Sequence, residues 1–225
     1  MTSPDTERPG ARWWLPEDTS LGNLRAAVEG CKGCELYASA THGVMGAGPE
    51  DARLMVIGEQ PGDQEDQAGE PFVGPAGRLL DDALAEAGID PATVFRTNVV
   101  KHFRFSGTRG KQRIHKSPSL VHVAACAPWL LAELDLVRPT GVVLLGGTAG
   151  RAVYGPGYRV GAARGRLHEW PETLAGRPLS GHRPGWVVPT THPAAVLRSR
   201  QREVDHAALV DDLSVAAHEL DRADG

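Results

Sequence analysis

Short apolar runs alternate along the chain with longer segments whose apolar residues recur every three or four positions. The apolar runs are RLMVIG at 53–58, VFRTNVV at 94–100, GVVLLGG at 141–147 and GWVVPTTHP at 185–193. Runs of four to eight apolar residues without polar alternation are typical of strands that are buried on both faces. We therefore predict four buried strands.

The segments between these runs have helical spacing. PAGRLLDDALAEAG at 75–88 places leucines and alanines three and four apart and ends at a glycine. SPSLVHVAACAPWLLAELDLV at 117–137 opens with Ser-Pro, which is typical of a helix start, and contains Pro128, which we expect to kink it. LGNLRAAVEG at 21–30 and the C-terminal segment are further helix candidates, whereas 155–185 is typical of a surface connection with one edge strand.

Strand–helix alternation predicts an α/β fold, a three-layer α/β/α arrangement around a central, mainly parallel four-stranded sheet. A chain of 225 residues is long enough for one well-buried domain. We expect residues 1–20, which are polar and proline-rich without the apolar segment of a signal peptide, to be a flexible lead, and 21–225 to form a single domain. No apolar run approaches the ~20 residues that span a bilayer, so we expect no membrane contact. The polar N-terminus favours a cytoplasmic protein, and we expect a monomer.

The charge of the chain is unevenly distributed. The net charge is −4, which does not indicate a nucleic-acid-binding protein, and 41% hydrophobic and 23% charged residues are ordinary for a soluble domain. Between 101 and 118, however, there are six Lys or Arg residues and no Asp or Glu. Such a run is most often a solvated loop, but it can also follow a phosphate backbone. One histidine, His115, lies inside this run.

The three cysteines favour a metal site. An odd number of cysteines in a reducing compartment argues against a disulfide framework. The pair Cys31-x-x-Cys34 alone fits a redox motif, a zinc site or half of a cluster site. A thioredoxin-like motif would follow a strand and open a helix, whereas this pair follows a predicted helix, and a third cysteine, Cys126, is present.

Polar residues of types that catalyse reactions or bind ligands follow the predicted strands. Glu59, Gln60 and Asp63 lie in the turn after the first strand, Asn98 lies late in the second, and His192 follows the fourth. Ligands of parallel α/β sheets bind at the carboxyl ends of the strands. Taken alone, Asn98 also fits a strand-end cap, and the loop aromatic Phe72 fits a lid on the core as well as a surface on which a planar ring stacks.

Six motifs together resemble one known family. In order, GEQPGDQE, GEPFVGPAGRLLD, TNVVKH, ACAPWLLAELDLVRP, VVLLGGTA and THPAAVLR resemble the motifs of the iron–sulfur uracil-DNA glycosylases of family 4. KQRIHK, within the basic loop at 104–117, resembles the KRRIH loop of UdgX-type enzymes, which excise uracil and become attached to the abasic site through the loop histidine. Two positions depart from the pattern: Gln112 replaces the usual second arginine, and Ala194 follows the His-Pro pair where many relatives have serine.

The resemblance implies roles for the residues that recognise the base. Phe72 stacks on the flipped uracil, and Asn98 accepts from N3 and donates to O4, a pattern that cytosine reverses. His192 donates to O2 and stabilises the charge on the departing base. The substrate is uracil-containing DNA, and we expect a preference for single strands, from which a base is extruded most easily.

The resemblance also implies that His115 attacks C1′ of the abasic sugar. Glu59 then orients the imidazole or accepts its proton, and Gln60 holds the geometry. We expect the neighbouring Arg113 and Lys116 to lower the pKa of His115 and to hold the flanking phosphates. Arg113 is therefore predicted to belong to the catalytic group, and Asp63, Lys111 and Lys116 are predicted to bind the substrate. A conventional hydrolytic glycosylase and a non-enzymatic DNA-binding module remain the alternatives.

A 4Fe-4S cluster is the cofactor that the resemblance implies. The family has four cysteines, one of them in VVKC, and this chain has VVKH, so the implied ligands are Cys31, Cys34, His102 and Cys126. His122 and His42 are rival candidates for the fourth position, and zinc tolerates three cysteines and one histidine equally well. In this arrangement the cluster would attach the basic loop to the long helix.

Overall fold

The computed structural model describes residues 9–110, 112–178 and 181–222. Its strands are β1 Leu54–Gly58, β2 Val94–Asn98, β3 Phe105–Arg109, β4 Gln112–His115, β5 Gly141–Leu145, β6 Thr173–Leu174, β7 Arg177–Pro178 and β8 Trp186–Thr190. Its α-helices are α1 Leu21–Val28, α2 Asp63–Ala68, α3 Pro75–Glu86, α4 Leu120–Val137, α5 Gly146–Tyr154, α6 Val160–Ala163, α7 Pro193–Arg198 and α8 Arg202–Arg222. Short 3-10 helices cover Ala11–Trp14, Glu35–Ala38 and Pro91–Thr93.

The central sheet has four parallel strands in the order β2-β1-β5-β8. One apolar cluster, which includes Leu24 of α1 and Leu130 of α4, packs on one face, and a second, which includes Leu80 of α3 and Leu209 of α8, packs on the other. The three-layer α/β/α fold predicted from the sequence is therefore confirmed. Its four strands are the four apolar runs, shortened by one to four residues.

Helix α4 is long and predominantly apolar. By length and composition alone it could cross a membrane, which the sequence did not lead us to expect. In the structure 61% of it is buried, however, and it contacts α1, α5 and β2. These are the surroundings of a core helix. It continues through Pro128 as one element.

Three segments differ from the sequence predictions. The basic loop at 104–117 is an antiparallel ribbon of β3 and β4, which we call the basic ribbon. The connection at 155–185 holds α6 and the pair β6–β7 instead of one edge strand. Part of the lead predicted to be flexible packs on the domain: the Gly10 N–H donates to the Gly33 carbonyl, and Ala11 is buried.

Candidate active site

The carboxyl ends of the parallel strands bring the predicted chemical residues to one edge of the sheet. Gly58 pairs with Asn98, so β1 and β2 end level with each other, and Leu145 pairs with Thr190 in the same way. Glu59 follows β1 directly, and His192 lies two residues beyond β8. Residues that are distant in the sequence therefore meet at this edge.

Asn98 and Phe72 meet above Gly58. A Cβ on Gly58 would overlap Asn98 Oδ1 and would lie 2.9 Å from the Phe72 ring, so only glycine leaves room there. Phe72 is buried and has a φ of 59°, a left-handed conformation that is costly for a residue with a side chain. Gly77 of α3 permits this conformation, because a Cβ there would overlap the Phe72 carbonyl. An aromatic ring and a buried amide thus face one small space.

His192 is held as a neutral imidazole with a defined proton position. It is the N-cap of α7, and its Nδ1 accepts from the Ala194 N–H at 3.1 Å, so in the neutral ring the proton is on Nε2. Burial lowers the pKa of His192 to about 4, the charges of His115 and Arg198 act in the same direction, and Glu59 opposes them. Because the contact uses the backbone of Ala194, the missing serine hydroxyl does not affect it.

Gln60 joins β1 to the base of the basic ribbon. Its Nε2 donates to the carbonyls of Arg104 at 3.0 Å and Lys116 at 3.2 Å, and its Oε1 accepts from the Arg104 N–H at 3.1 Å. The Lys116 N–H in turn donates to the Arg104 carbonyl. One buried amide therefore holds both strands of the ribbon where they leave the domain.

His115, at the end of β4, faces Glu59. Nε2 of His115 lies 3.4 Å from Oε1 of Glu59, and this oxygen is buried without a well-aligned hydrogen bond. The histidine side chain is 48% exposed, and its ring lies 6.1 Å from that of Phe103. Burial lowers the pKa of His115 and Arg198 contributes, while Glu59 raises it. An exposed imidazole whose neutral form is favoured thus lies beside a carboxylate oxygen that has no well-aligned hydrogen bond.

Arg113 has a different position from the one expected. Its guanidinium is paired with Asp63 at 2.5 Å and with Asp66 at 2.7 Å, and it lies over the Phe103 and Phe105 rings. Two carboxylates on α2 therefore compensate its charge. The pKa of His115 is lowered by burial and by Arg198 instead, and Asp63 is paired with the ribbon.

The other cations of the basic run differ in exposure. Lys116 and Arg109 are exposed, whereas Arg104 is partly buried and donates to the Ser117 carbonyl at 2.8 Å. Lys101 is fully buried and does not belong to the surface run. Lys111, predicted to contact the substrate, lies outside the described residues. The exposed basic surface is therefore smaller than the sequence indicates.

The three cysteines are buried in one region of the core, and none of them is in a disulfide. Cys126 Sγ accepts from the Lys101 N–H at 3.2 Å, and Cys31 Sγ accepts from Trp129 Nε1 at 3.4 Å. Burial raises the pKa of Cys126 to about 12, so its thiolate needs a cation such as iron to form. Buried thiols that accept N–H bonds suit a cluster, whose sulfurs are commonly hydrogen-bonded.

His102 lies close to the cysteines. It is buried, and together with Cys31 and His42 it lines a small cavity. Burial lowers the pKa of His102, which favours the neutral form that binds metals. Within the described part of the chain, no three His, Cys, Asp or Glu side chains are arranged around a single ion. Ligands of a cluster bind different iron atoms and stand farther apart, so this result concerns single ions.

The rival histidines have other partners. His122 is buried, its Nδ1 accepts from the Ser119 N–H at the start of α4, and its Nε2 lies 2.8 Å from Glu35. His42 is half-exposed and lies 3.2 Å from Glu29. Both rings already have a structural contact, which leaves His102 as the histidine best placed beside the cysteines.

Sequence reasoning missed three features of this region. Asp66 binds Arg113, and its carboxylate also accepts from the Thr41 N–H at 3.0 Å. Arg198 acts on both site histidines from the end of α7, and Lys101 is paired with Glu133 in the core. The opposite charges of the acidic DQED segment at 63–66 and the basic run at 101–118 were a signal for the first pair, whereas the others depend on contacts that no local pattern reveals.

Comparison with known proteins gives a consistent result. Residues 45–214 match the family described as the uracil DNA glycosylase superfamily. The chain is 35% identical to a type-4 uracil-DNA glycosylase of Thermotoga maritima, over 82% of this chain and 86% of the relative. It is 33% identical to the type-4 enzyme of Pyrobaculum aerophilum, over 79% and 85%, and 31% identical to that of Archaeoglobus fulgidus, over 82% and 87%.

The depressed pKa of His192 predicts a pH-dependent contribution to stability. The unfolded chain binds a proton at this histidine below pH ~6.5, and the folded chain does so only near about 4. The free energy of unfolding therefore decreases as the pH falls between these values, by about 2 kcal/mol from pH 7 to about 5. His192→Asn retains an acceptor for the Ala194 N–H and lacks this proton. Urea unfolding should show the wild type losing that much more stability than the variant. Parallel curves would contradict the low pKa.

Proposed function

The chain belongs to the uracil-DNA glycosylase superfamily, and we propose that it excises uracil from DNA and then bonds through His115 to C1′ of the abasic sugar. The observation that carries the proposal is the position of His115, 3.4 Å from Glu59 on a ribbon anchored at the edge of the sheet. A hydrolytic glycosylase needs no histidine there. Single-stranded DNA is the proposed preferred substrate, because extruding its bases costs least.

Recognition of uracil is proposed to use the space above Gly58. Phe72 stacks on the flipped ring, and the Asn98 amide accepts from N3 and donates to O4. His192 supplies its Nε2–H to O2, where negative charge develops as the bond from C1′ to N1 breaks. A neutral donor is suitable for this task, because it is present at every pH above about 4.

Covalent capture completes the proposed reaction. The bonding electrons leave with uracil, and C1′ becomes an electrophilic cation. The ring nitrogen of His115 that carries no proton donates its lone pair to C1′, and the other nitrogen releases its proton to Glu59 or to solvent. The product is a neutral glycosyl imidazole, which is a poor leaving group, so each protein molecule reacts once.

Arg113 is proposed to position the ribbon rather than to bind DNA. Its guanidinium is committed to Asp63 and Asp66 and stacks on two phenylalanine rings, which holds β4 against α2. Lys116 and Arg109 are exposed and are the proposed contacts for the phosphates. Positioning and DNA binding are thus assigned to different cations of one ribbon.

The cysteine region is proposed to hold a 4Fe-4S cluster. The ligands would be Cys31, Cys34, His102 and Cys126, which are three buried thiols and a neutral imidazole. The type-4 name of the relatives and the N–H donors to two of the sulfurs support this assignment. The cluster would act as a covalent cross-link between the CxxC segment, the end of β2 and α4.

The first prediction of this proposal concerns His115. Wild-type protein and a single-stranded oligonucleotide with one uracil should give a band that survives heat and detergent, with uracil release that stops at one per protein. His115→Ser should give no such band and should continue to release uracil, because water can then reach C1′. A denaturing gel and chromatography of the free base measure the two outcomes.

Ile114→Ser is the matched control. It makes the same replacement at the exposed neighbouring residue of β4, and it should cross-link as the wild type does. Thymine-containing DNA should give no band with any variant. A wild type that turns over repeatedly without a band would make this protein a conventional hydrolytic glycosylase.

A second prediction separates the two kinds of cation. Lys116→Ala should reduce the slope of log Kd against log salt by about 1, as the loss of one phosphate contact does. Arg113→Ala should leave this slope unchanged and lower the yield of cross-linked product, because β4 is no longer held against α2. Fluorescence titration with DNA at several salt concentrations measures the slope. A reduced slope for Arg113→Ala would mean that the arginine leaves its carboxylates to bind phosphate.

A third prediction concerns the cofactor. Aerobically purified protein should be brown and should contain about four iron and four sulfide ions per chain. His102→Cys should keep the colour, and Cys126→Ser should lose it together with much of the stability, since metal binding of this kind is coupled to folding. His42→Gln and His122→Gln test the rival ligands and should remain brown. A colourless protein with one bound zinc would contradict the cluster.

A further inference from the structure

Lys101 and Glu133 form an ion pair that is completely enclosed by the core. Both side chains are 0% exposed, and Lys101 Nζ lies 2.7 Å from Glu133 Oε2. The ammonium also donates to Thr97 Oγ1 at 2.6 Å and to the Asn98 carbonyl at 2.8 Å. Each of the three N–H groups of the ammonium therefore has an acceptor.

The carboxylate is equally well satisfied. Glu133 Oε2 also accepts from Thr97 Oγ1 at 2.7 Å, and Oε1 accepts from the Gly46 N–H at 2.6 Å. The network joins β2, α4 and the segment at Gly46 in one connected set. A fully satisfied network of this kind has one geometry, because any displacement leaves a buried charge without a partner.

Stability alone does not explain this pair. Removing two charges from water costs several kcal/mol, and apolar residues of similar volume often give equal or greater stability at such a site. The pair is distinguished by the third acceptor of the ammonium. That acceptor is the carbonyl of Asn98, whose side chain faces Phe72 above Gly58.

The backbone changes direction at this residue. Asn98 is the last residue of β2, and beyond it the Val99 and Val100 N–H groups donate to the Gly58 and Glu59 carbonyls. The Lys101 side chain extends back towards β2, and its ammonium donates to the carbonyl of Asn98, three residues earlier in the chain. Rotation of this peptide group would swing the attached side chain, so the ammonium fixes the direction of the amide.

We propose that the Lys101–Glu133 pair is a positioning unit that fixes the Asn98 amide for base recognition. The proposal rests on the proposed function, in which Asn98 reads uracil. Lys101 contacts no substrate and acts only through Asn98. Misplacement of a recognition group by about 1 Å can slow a reaction a hundredfold, so Lys101→Met should slow single-turnover excision by between about tenfold and a hundredfold.

The test is a double-mutant cycle with Asn98→Ala. Single-turnover uracil release is measured for the wild type, Lys101→Met, Asn98→Ala and the double variant. If Lys101 acts through Asn98, adding Lys101→Met to Asn98→Ala should change the rate by less than about twofold. Independent, multiplying effects would overturn the proposal. Failure of the proposed function is a separate outcome, because the wild type itself would then release no uracil.

Leu213→Ala is the control for lost stability. Leu213 is fully buried in α8, and truncating it leaves a cavity in the core that destabilises the fold. This variant should unfold at lower temperature and excise uracil at the wild-type rate. A similar loss of stability with normal excision in Lys101→Met would reduce the pair to a structural element and overturn the proposal.

Should Lys101→Met fail to fold, Thr97→Val tests the same network more gently. The substitution keeps the size of the side chain and removes the hydroxyl that joins the two charges. It should slow excision in the wild-type background and have no further effect beside Asn98→Ala. A normal excision rate in folded Thr97→Val with an intact Asn98 would contradict the positioning role.

Discussion

A parallel sheet has one carboxyl edge, and the arrangement of the whole site depends on that constraint. Because Gly58 pairs with Asn98 and Leu145 with Thr190, neighbouring strands end at the same level. The residues that follow them are brought together whatever their separation in the sequence. The strands are buried between two apolar clusters, so the most stable part of the domain holds the reactive groups in place. A site built in this way needs few contacts of its own to be rigid.

The sequence predicts the sheet much better than it predicts the ribbon. Four short, predominantly apolar runs indicate buried strands, because a strand covered on both faces has no polar side to display. The strands Phe105–Arg109 and Gln112–His115 are mostly exposed and have no regular alternation, so nothing in them indicates pairing. Their geometry comes from tertiary contacts, chiefly those of Gln60 with Arg104 and Lys116 and those of Arg113 with Asp63 and Asp66. The composition of this segment indicates its charge but not its shape.

Buried charges explain the other differences between expectation and structure. Lys101 counts as part of a basic surface run in the sequence, yet its partner Glu133 lies 32 residues away in α4. Arg113 is likewise paired with a carboxylate 50 residues away. A charge is buried only where the fold supplies a partner, and local spacing cannot show such a partner. Runs of like charge therefore overestimate the exposed charge wherever part of the run enters the core.

In the proposed reaction, one carbon cation is open to both water and an imidazole, and position decides which of them bonds. Partial burial and Arg198 lower the pKa of His115 against the opposing charge of Glu59, which favours the neutral form but also reduces the basicity of the ring, so its intrinsic reactivity is modest. A group held in contact with the reacting atom gains an effective concentration of about 10⁵ M or more, which greatly exceeds that of water. Gln60 at the base of the ribbon and Arg113 along β4 provide that restraint. Capture is thus a property of the anchored ribbon as a whole, and the same histidine on an unanchored loop would lose the competition to water.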